Sequence, residues 1–105
     1  MQADKLVEFV EQQLEDIKAR DIVILDVREK ASFTDYMVIC SGNSSRHVKS
    51  IAQSVAIECR AQGNAPIGIE GGDVGEWALV DFGDVVLHVM PDEQRDKYQL
   101  EQLWT

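Results

Sequence analysis

The chain has 105 residues, 45% of them apolar, which suits one folded domain with one core and argues against disorder. Its 19 Asp and Glu against 10 Lys and Arg leave a formal charge of −9, spread along the chain and not gathered in a tail. That sign repels a phosphate backbone, so little direct nucleic-acid contact is expected; it suits a basic protein surface, and it also serves solubility.

No stretch approaches the roughly 18 apolar residues of a membrane span. The opening "MQADKLVEF" has neither a signal-peptide apolar core nor the Arg- and Ser-rich character of a transit peptide. A cytoplasmic protein with no membrane partner is the expectation. From about Ala3 to Ala19, Leu6, Phe9, Val10, Leu14 and Ile17 recur at helical spacing, with Asp4 and Glu8 near the start and Lys18 and Arg20 near the end. "DIVILDV" (21–27) reads as a strand, "EKASFTD" as a polar connection with room for one helical turn, and "YMVICSG" (36–42) as a second strand. Both strands are apolar nearly throughout, as expected of strands covered on both faces. Cys40 and Cys59 lie in apolar runs and are expected as buried free thiols, since disulfides belong mainly to secreted chains.

Ser44 or Ser45 can cap a helix whose apolar positions are Val48, Ile51, Ala52, Val55 and Cys59, with Gly63 placed as its stop. "PIGIEG" gives a short third strand and "GGDVG" a flexible loop. Next comes "EWALVDFGDVVLHVM", two strands around one tight turn. Pro91 ends the second of them, and Asp92 can cap a last helix carrying Tyr98, Leu100, Leu103 and Trp104. The order is αββαβββα: a single α/β domain spanning 1–105, a five-stranded mixed sheet with flanking helices.

If Gly83-Asp84 is the loop of a type II′ hairpin, the register pairs Phe82 with Val85, Val80 with Leu87 and Ala78 with Val89. The opposite face then gathers Trp77, Leu79, Asp81, Val86, His88 and Met90. Such a face is either buried beneath a helix or left in water for a partner, since Trp, Tyr and Met are enriched at partner surfaces. Tyr98, two turns past Pro91, can extend the patch. Asp81 and His88 fall on this face within diagonal reach, as a hydrogen bond or conceivably an acid–base pair.

"SGNSSRHV" places two serines, an Arg and a His at a strand-to-helix junction, where backbone amides attract anions. It has neither the G-x-x-x-x-G-K-[ST] nor the G-x-G-x-x-G phosphate motif, so a simple helix cap explains it as well. The "SG…S" pattern is similar to the nucleotidyltransferase fold, whose enzymes need metal-binding carboxylates on neighbouring strands. Glu70, Asp81 and Asp84 are the only candidates, and the chain has no Asp-x-Asp pair. His47 and His88 each stand without a second ligand at metal spacing, so no metal or other cofactor is expected. A metal-dependent nucleotidyltransferase remains the rival reading, and a homodimer through the hairpin face a third.

"DVREKASFTDYMVICSGNSSRHVKSIA", "GIEGG", "GEWALVDFGDVVLHVM" and "YQLEQLW" together resemble the ribosomal silencing factor family, also called Iojap-like proteins, over essentially Val7 to Trp104. The resemblance implies a nucleotidyltransferase-like fold without catalytic carboxylates, and no enzyme activity. It implies binding to the large ribosomal subunit through ribosomal protein L-fourteen. Joining of the small subunit would then be blocked sterically, and translation lowered when nutrients are short. The family's partner surface falls here on Trp77, Leu79, His88, Met90 and Tyr98.

Overall fold

Helix α1, Ala3–Asp16, buries Leu6, Val10 and Leu14 of the expected stripe together with Val7, while Phe9 and Ile17 are partly buried at its border. It ends earlier than its apolar period suggests. Lys18 turns left-handed at φ 62°, letting the Ala19 N–H reach the Leu14 carbonyl at 2.9 Å and the Lys18 N–H that of Glu15 at 3.1 Å. This is a Schellman stop built on a lysine, whereas glycine is the usual occupant. The computed structural model describes residues 1–71 and 75–103, with Tyr98 and Leu103 by backbone alone. The middle of the predicted "GGDVG" loop and Trp104 lie outside those residues.

Strand β1, Arg20–Asp26, runs antiparallel to β2, Tyr36–Gly42, with a bulge between Arg20 and Val23 where Asp21 takes φ 50°. The connection between them makes one helical turn, Ala31 N–H to the Val27 carbonyl at 2.8 Å. Helix α2, Ser45–Ala61, follows; Ser44 caps it by accepting from the His47 N–H. Its far end is a Schellman motif on Gly63, φ 82°, with the Asn64 N–H on the Cys59 carbonyl at 2.8 Å. Strands β3, Gly68–Glu70, β4, Ala78–Asp81, and β5, Val85–Pro91, complete a sheet of order β1-β2-β5-β4-β3. Only the central β2–β5 pair is parallel, so the sheet is mixed as expected.

The hairpin register is the predicted one: Ala78 opposite Val89, Val80 opposite Leu87, and the Phe82 N–H on the Val85 carbonyl at 2.9 Å. Gly83 has the positive φ, 89°, that the first central position of a type II′ loop needs. Asp81 Oδ1 closes the turn by accepting from the Gly83 N–H at 2.8 Å.

Both long helices pack on one face. Val38, Cys40, Val80, Leu87 and Val89 of the sheet meet Val10, Leu14, Ile51, Val55 and Cys59 in the main core, all essentially without solvent contact. β2 is buried along nearly its whole length, as predicted, but β1 is not. It is an edge strand and half exposed, because an apolar run shows that a strand is buried somewhere without showing where it sits in the sheet. The last helix also differs. α3, Asp92–Tyr98, breaks at left-handed Gln99, and a single turn, α4, Leu100–Leu103, resumes after it. A smaller cluster of Val27, Met37, Ile39 and Met90 lies on the second face, with Leu25, Ala31, Trp77 and Leu100 packed around it.

Candidate docking face on the hairpin

Backbone geometry delivers Trp77. Gly71, at φ 71°, lies so close to the Trp77 carbonyl that a Cβ would stand 2.1 Å from that oxygen. Gly75, at φ 79°, would place a Cβ 2.5 Å from the Ser45 carbonyl at the start of α2, and its N–H reaches the Gly71 carbonyl at 3.2 Å. At these two positions no side chain fits, so the glycines pin the ends of this connection against Trp77 and α2.

From there the indole reaches across the hairpin. Trp77 Nε1–H donates to His88 Nδ1 at 3.0 Å, and the rings meet edge-on at 62° with centroids 6.0 Å apart. An indole N–H only donates, so Nδ1 carries the lone pair and the proton of the neutral imidazole is on Nε2. Burial pushes the His88 pKa down to about 4, which keeps the ring neutral at physiological pH. Trp77 and His88 are half-buried, as are Leu79 and Asp81.

The two fates foreseen for this face divide along it. Met90 is 1% exposed and belongs to the smaller cluster, so this member of the expected partner set sits underneath the face as support. Leu100, at the start of α4, packs against that cluster together with Leu25, Ala31 and Trp77, an approach that no local pattern announces. Trp77 borders that cluster, Leu79 and His88 are half-buried farther out on the hairpin, and Tyr98 is the last residue of α3. Asp81 and His88 do not pair: the first closes the turn and the second holds the indole.

"SGNSSRHV" is spent on the fold. Ser44 caps α2 at 3.1 Å from the His47 N–H, and His47 Nδ1 accepts from the Asn43 N–H at 2.9 Å. His47 Nε2 lies 2.9 Å from the Ile17 carbonyl and therefore donates to it, tying the end of α1 to the start of α2. A Cβ on Gly42 would press on Val48 at 2.9 Å. Among the described residues no three His, Cys, Asp or Glu side chains gather as metal ligands. Cys40 and Cys59 are free and buried, their thiols pushed up to about 12 and about 11 by desolvation, so neither is a nucleophile.

One arrangement near the face has no sequence signal. Arg95 Nε donates to Glu101 Oε1 at 2.6 Å and Arg95 Nη1 to Ser41 Oγ at 2.9 Å. Burial acts to raise the Glu101 pKa, but hydrogen bonds from Arg95 and the backbone outweigh it and bring the carboxyl below its ordinary value. The two charges stand six residues apart, a spacing that no helix or strand brings together without the break at Gln99. Arg20 pairs with Asp92 farther along the same edge.

A five-stranded mixed sheet with a half-covered aromatic hairpin, and the "SGNSSRHV" junction taken up by helix caps, define a small α/β domain. The family described as "Ribosomal silencing factor during starvation" matches residues 1–105. A ribosomal silencing factor of Haemophilus influenzae is 44% identical over 99 residues, covering 94% of this chain and 97% of that one. "Mitochondrial assembly of ribosomal large subunit protein 1" of Mus musculus is 38% identical over 107 residues, 97% of this chain and 44% of that protein. A crystal structure of a Chromobacterium violaceum protein superposes with a TM-score of 0.96 at 41% identity, covering 99% of this chain and 87% of that one. The chain belongs to the ribosomal silencing factor family, whose members are ribosome-associated regulators of translation and not enzymes. No helix among the described residues is long and apolar enough to cross a membrane.

Proposed function

We propose that the hairpin face docks on ribosomal protein L-fourteen of the large subunit, so that the bound factor excludes the small subunit and lowers translation under nutrient limitation. Trp77, Leu79, His88 and Tyr98 make the contact, and Met90 supports it from beneath. The observation that carries this reading is the indole held half-buried against a neutral His88. Its orientation is set before binding, so little side-chain freedom is lost on docking. The net charge of −9 favours a basic ribosomal protein over rRNA and speeds encounter at low salt. The relative named for assembly of the ribosomal large subunit supports that subunit as the target. Occupancy alone suffices, with no turnover and no cofactor, and the site of action is the cytoplasm.

Sucrose-gradient sedimentation with purified subunits tests this. Wild-type protein is expected to co-migrate with large subunits and to reduce reassociated ribosomes. Trp77→Ala removes an anchor worth about 2–4 kcal/mol, an affinity loss of roughly 30- to 1,000-fold, with the fold retained. Equal binding by Trp77→Ala would remove this surface from consideration. If the free protein sediments as a dimer that Trp77→Ala splits into monomers, a second copy occupies the same face.

A further inference from the structure

α3 ends at Tyr98, Gln99 turns left-handed at φ 48° and ψ 53°, and α4 is only four residues long. A single helical turn has no stability of its own in water, so α4 must be held from outside. Among the described residues, two side-chain contacts hold it. Leu100 packs onto the cluster containing Met90 and bordering Trp77. Glu101 takes the Arg95 Nε–H, while the other arm of the same guanidinium reaches Ser41 at the end of β2. The Arg95 side chain is 10% exposed, that of Glu101 26%, and Ser41 is fully buried, so this pair is partly shielded on its Arg95 side. By contrast the Lys5–Glu8 pair on α1, at 3.7 Å, is 68% exposed on both sides and screened by water.

We propose that Arg95 and Glu101 form a clasp that seats α4, and through Leu100 sets the wall beside which Trp77 is held, so that both are positioning residues for the docking face. The inference rests on the docking reading above. The planar guanidinium serves two acceptors on different elements at once, which a lysine ammonium on a flexible stem cannot do in the same geometry. Losing Glu101's charge frees α4 without touching the main core on the opposite side of the sheet.

The test compares wild type, Glu101→Gln, Arg95→Lys, Arg95→Met and Trp77→Ala for binding to purified large subunits. Amide hydrogen exchange and the indole N–H resonance of Trp77 are followed in the free protein. Arg95→Met also deletes the hydrogen bond to buried Ser41, so Glu101→Gln, which alters only the link to α4, is the deciding variant. It is expected to speed exchange at residues 100–103 selectively, to shift the Trp77 indole resonance, and to weaken binding about tenfold. Arg95→Lys should fall between wild type and Arg95→Met. Unchanged exchange at 100–103 in Glu101→Gln overturns the clasp. So does faster exchange with full binding, provided Trp77→Ala has lost it. Full binding by Trp77→Ala instead overturns the docking face, and with it the clasp's part in docking.

Discussion

The two faces of the sheet are built on different terms. On the first, two long helices seal Val38, Cys40, Val80, Leu87 and Val89 completely. On the second, among the described residues, only the half-buried Leu25, Ala31, Trp77 and Leu100 border Val27, Met37, Ile39 and Met90, and Trp77, Leu79 and His88 stay partly in water. Because β5 alternates, Leu87 and His88 are chain neighbours that report on opposite sides. The first face supplies stability, while the second retains apolar area that folding leaves unused.

Leu87→Ala should produce the largest loss of stability. Its side chain is fully buried, and deleting it costs about 2–5 kcal/mol from lost transfer energy and the cavity left behind. Denaturant unfolding should show that loss, whereas Leu79→Ala on the second face should cost well under half as much and act mainly on subunit binding. Equal destabilisation by the two would break the contrast between the faces.

A proton distinguishes the faces next. His88 has its pKa lowered by burial from 6.5 to about 4, so between these values the unfolded chain takes up a proton that the folded chain refuses. The stabilisation from a neutral His88 is therefore complete above pH 6.5 and is lost as pH falls toward 4, in all roughly 3 kcal/mol. Protonated Nδ1 cannot accept from Trp77, so docking should hold through this window and weaken only as pH reaches about 4, where the folded protein itself takes up the proton. His88→Gln keeps an acceptor but does not titrate. Unfolding free energy measured from pH 7 to 4 should fall less steeply for it than for wild type. Parallel profiles would place the acid sensitivity in other groups.

How far these differences were legible in the sequence depends on whether local chemistry determined them. The hairpin register follows from Gly83-Asp84, because a two-residue loop leaves one pairing, and the bounds of α2 follow from Ser44 and Gly63. The edge position of β1 was not legible, since "DIVIL" reads alike at a centre and at an edge. The covering of Met90 depends on Leu100 returning after a break at Gln99, where glutamine in a left-handed conformation leaves no mark in the pattern. The middle of "GGDVG" lies outside the described residues, while its ends, Gly71 and Gly75, carry close backbone contacts to Trp77 and Ser45. Two glycines closely preceding an aromatic residue were the available signal. His47 was legible as part of a cap and not as a bridge to Ile17, a contact across 30 residues.

The smallest effect concerns the end of α1, on the first face. Gly63 and Lys18 do the same job at φ 82° and φ 62°, but only lysine has a Cβ that the left-handed region penalises. Replacing exposed Lys18 by glycine relieves that penalty, and the greater freedom of glycine in the unfolded chain returns part of the gain. A net stabilisation of about 0.5–1 kcal/mol is expected in denaturant unfolding, as at other left-handed helix ends. Binding to large subunits should not change. Ile17, whose carbonyl accepts from His47, packs against the main core on the helix-covered side of the sheet, the side opposite Trp77. Weaker binding by Lys18→Gly would mean that the helix-covered face communicates with the hairpin face through the sheet, and the separation of stability from docking would fail at its most sensitive point.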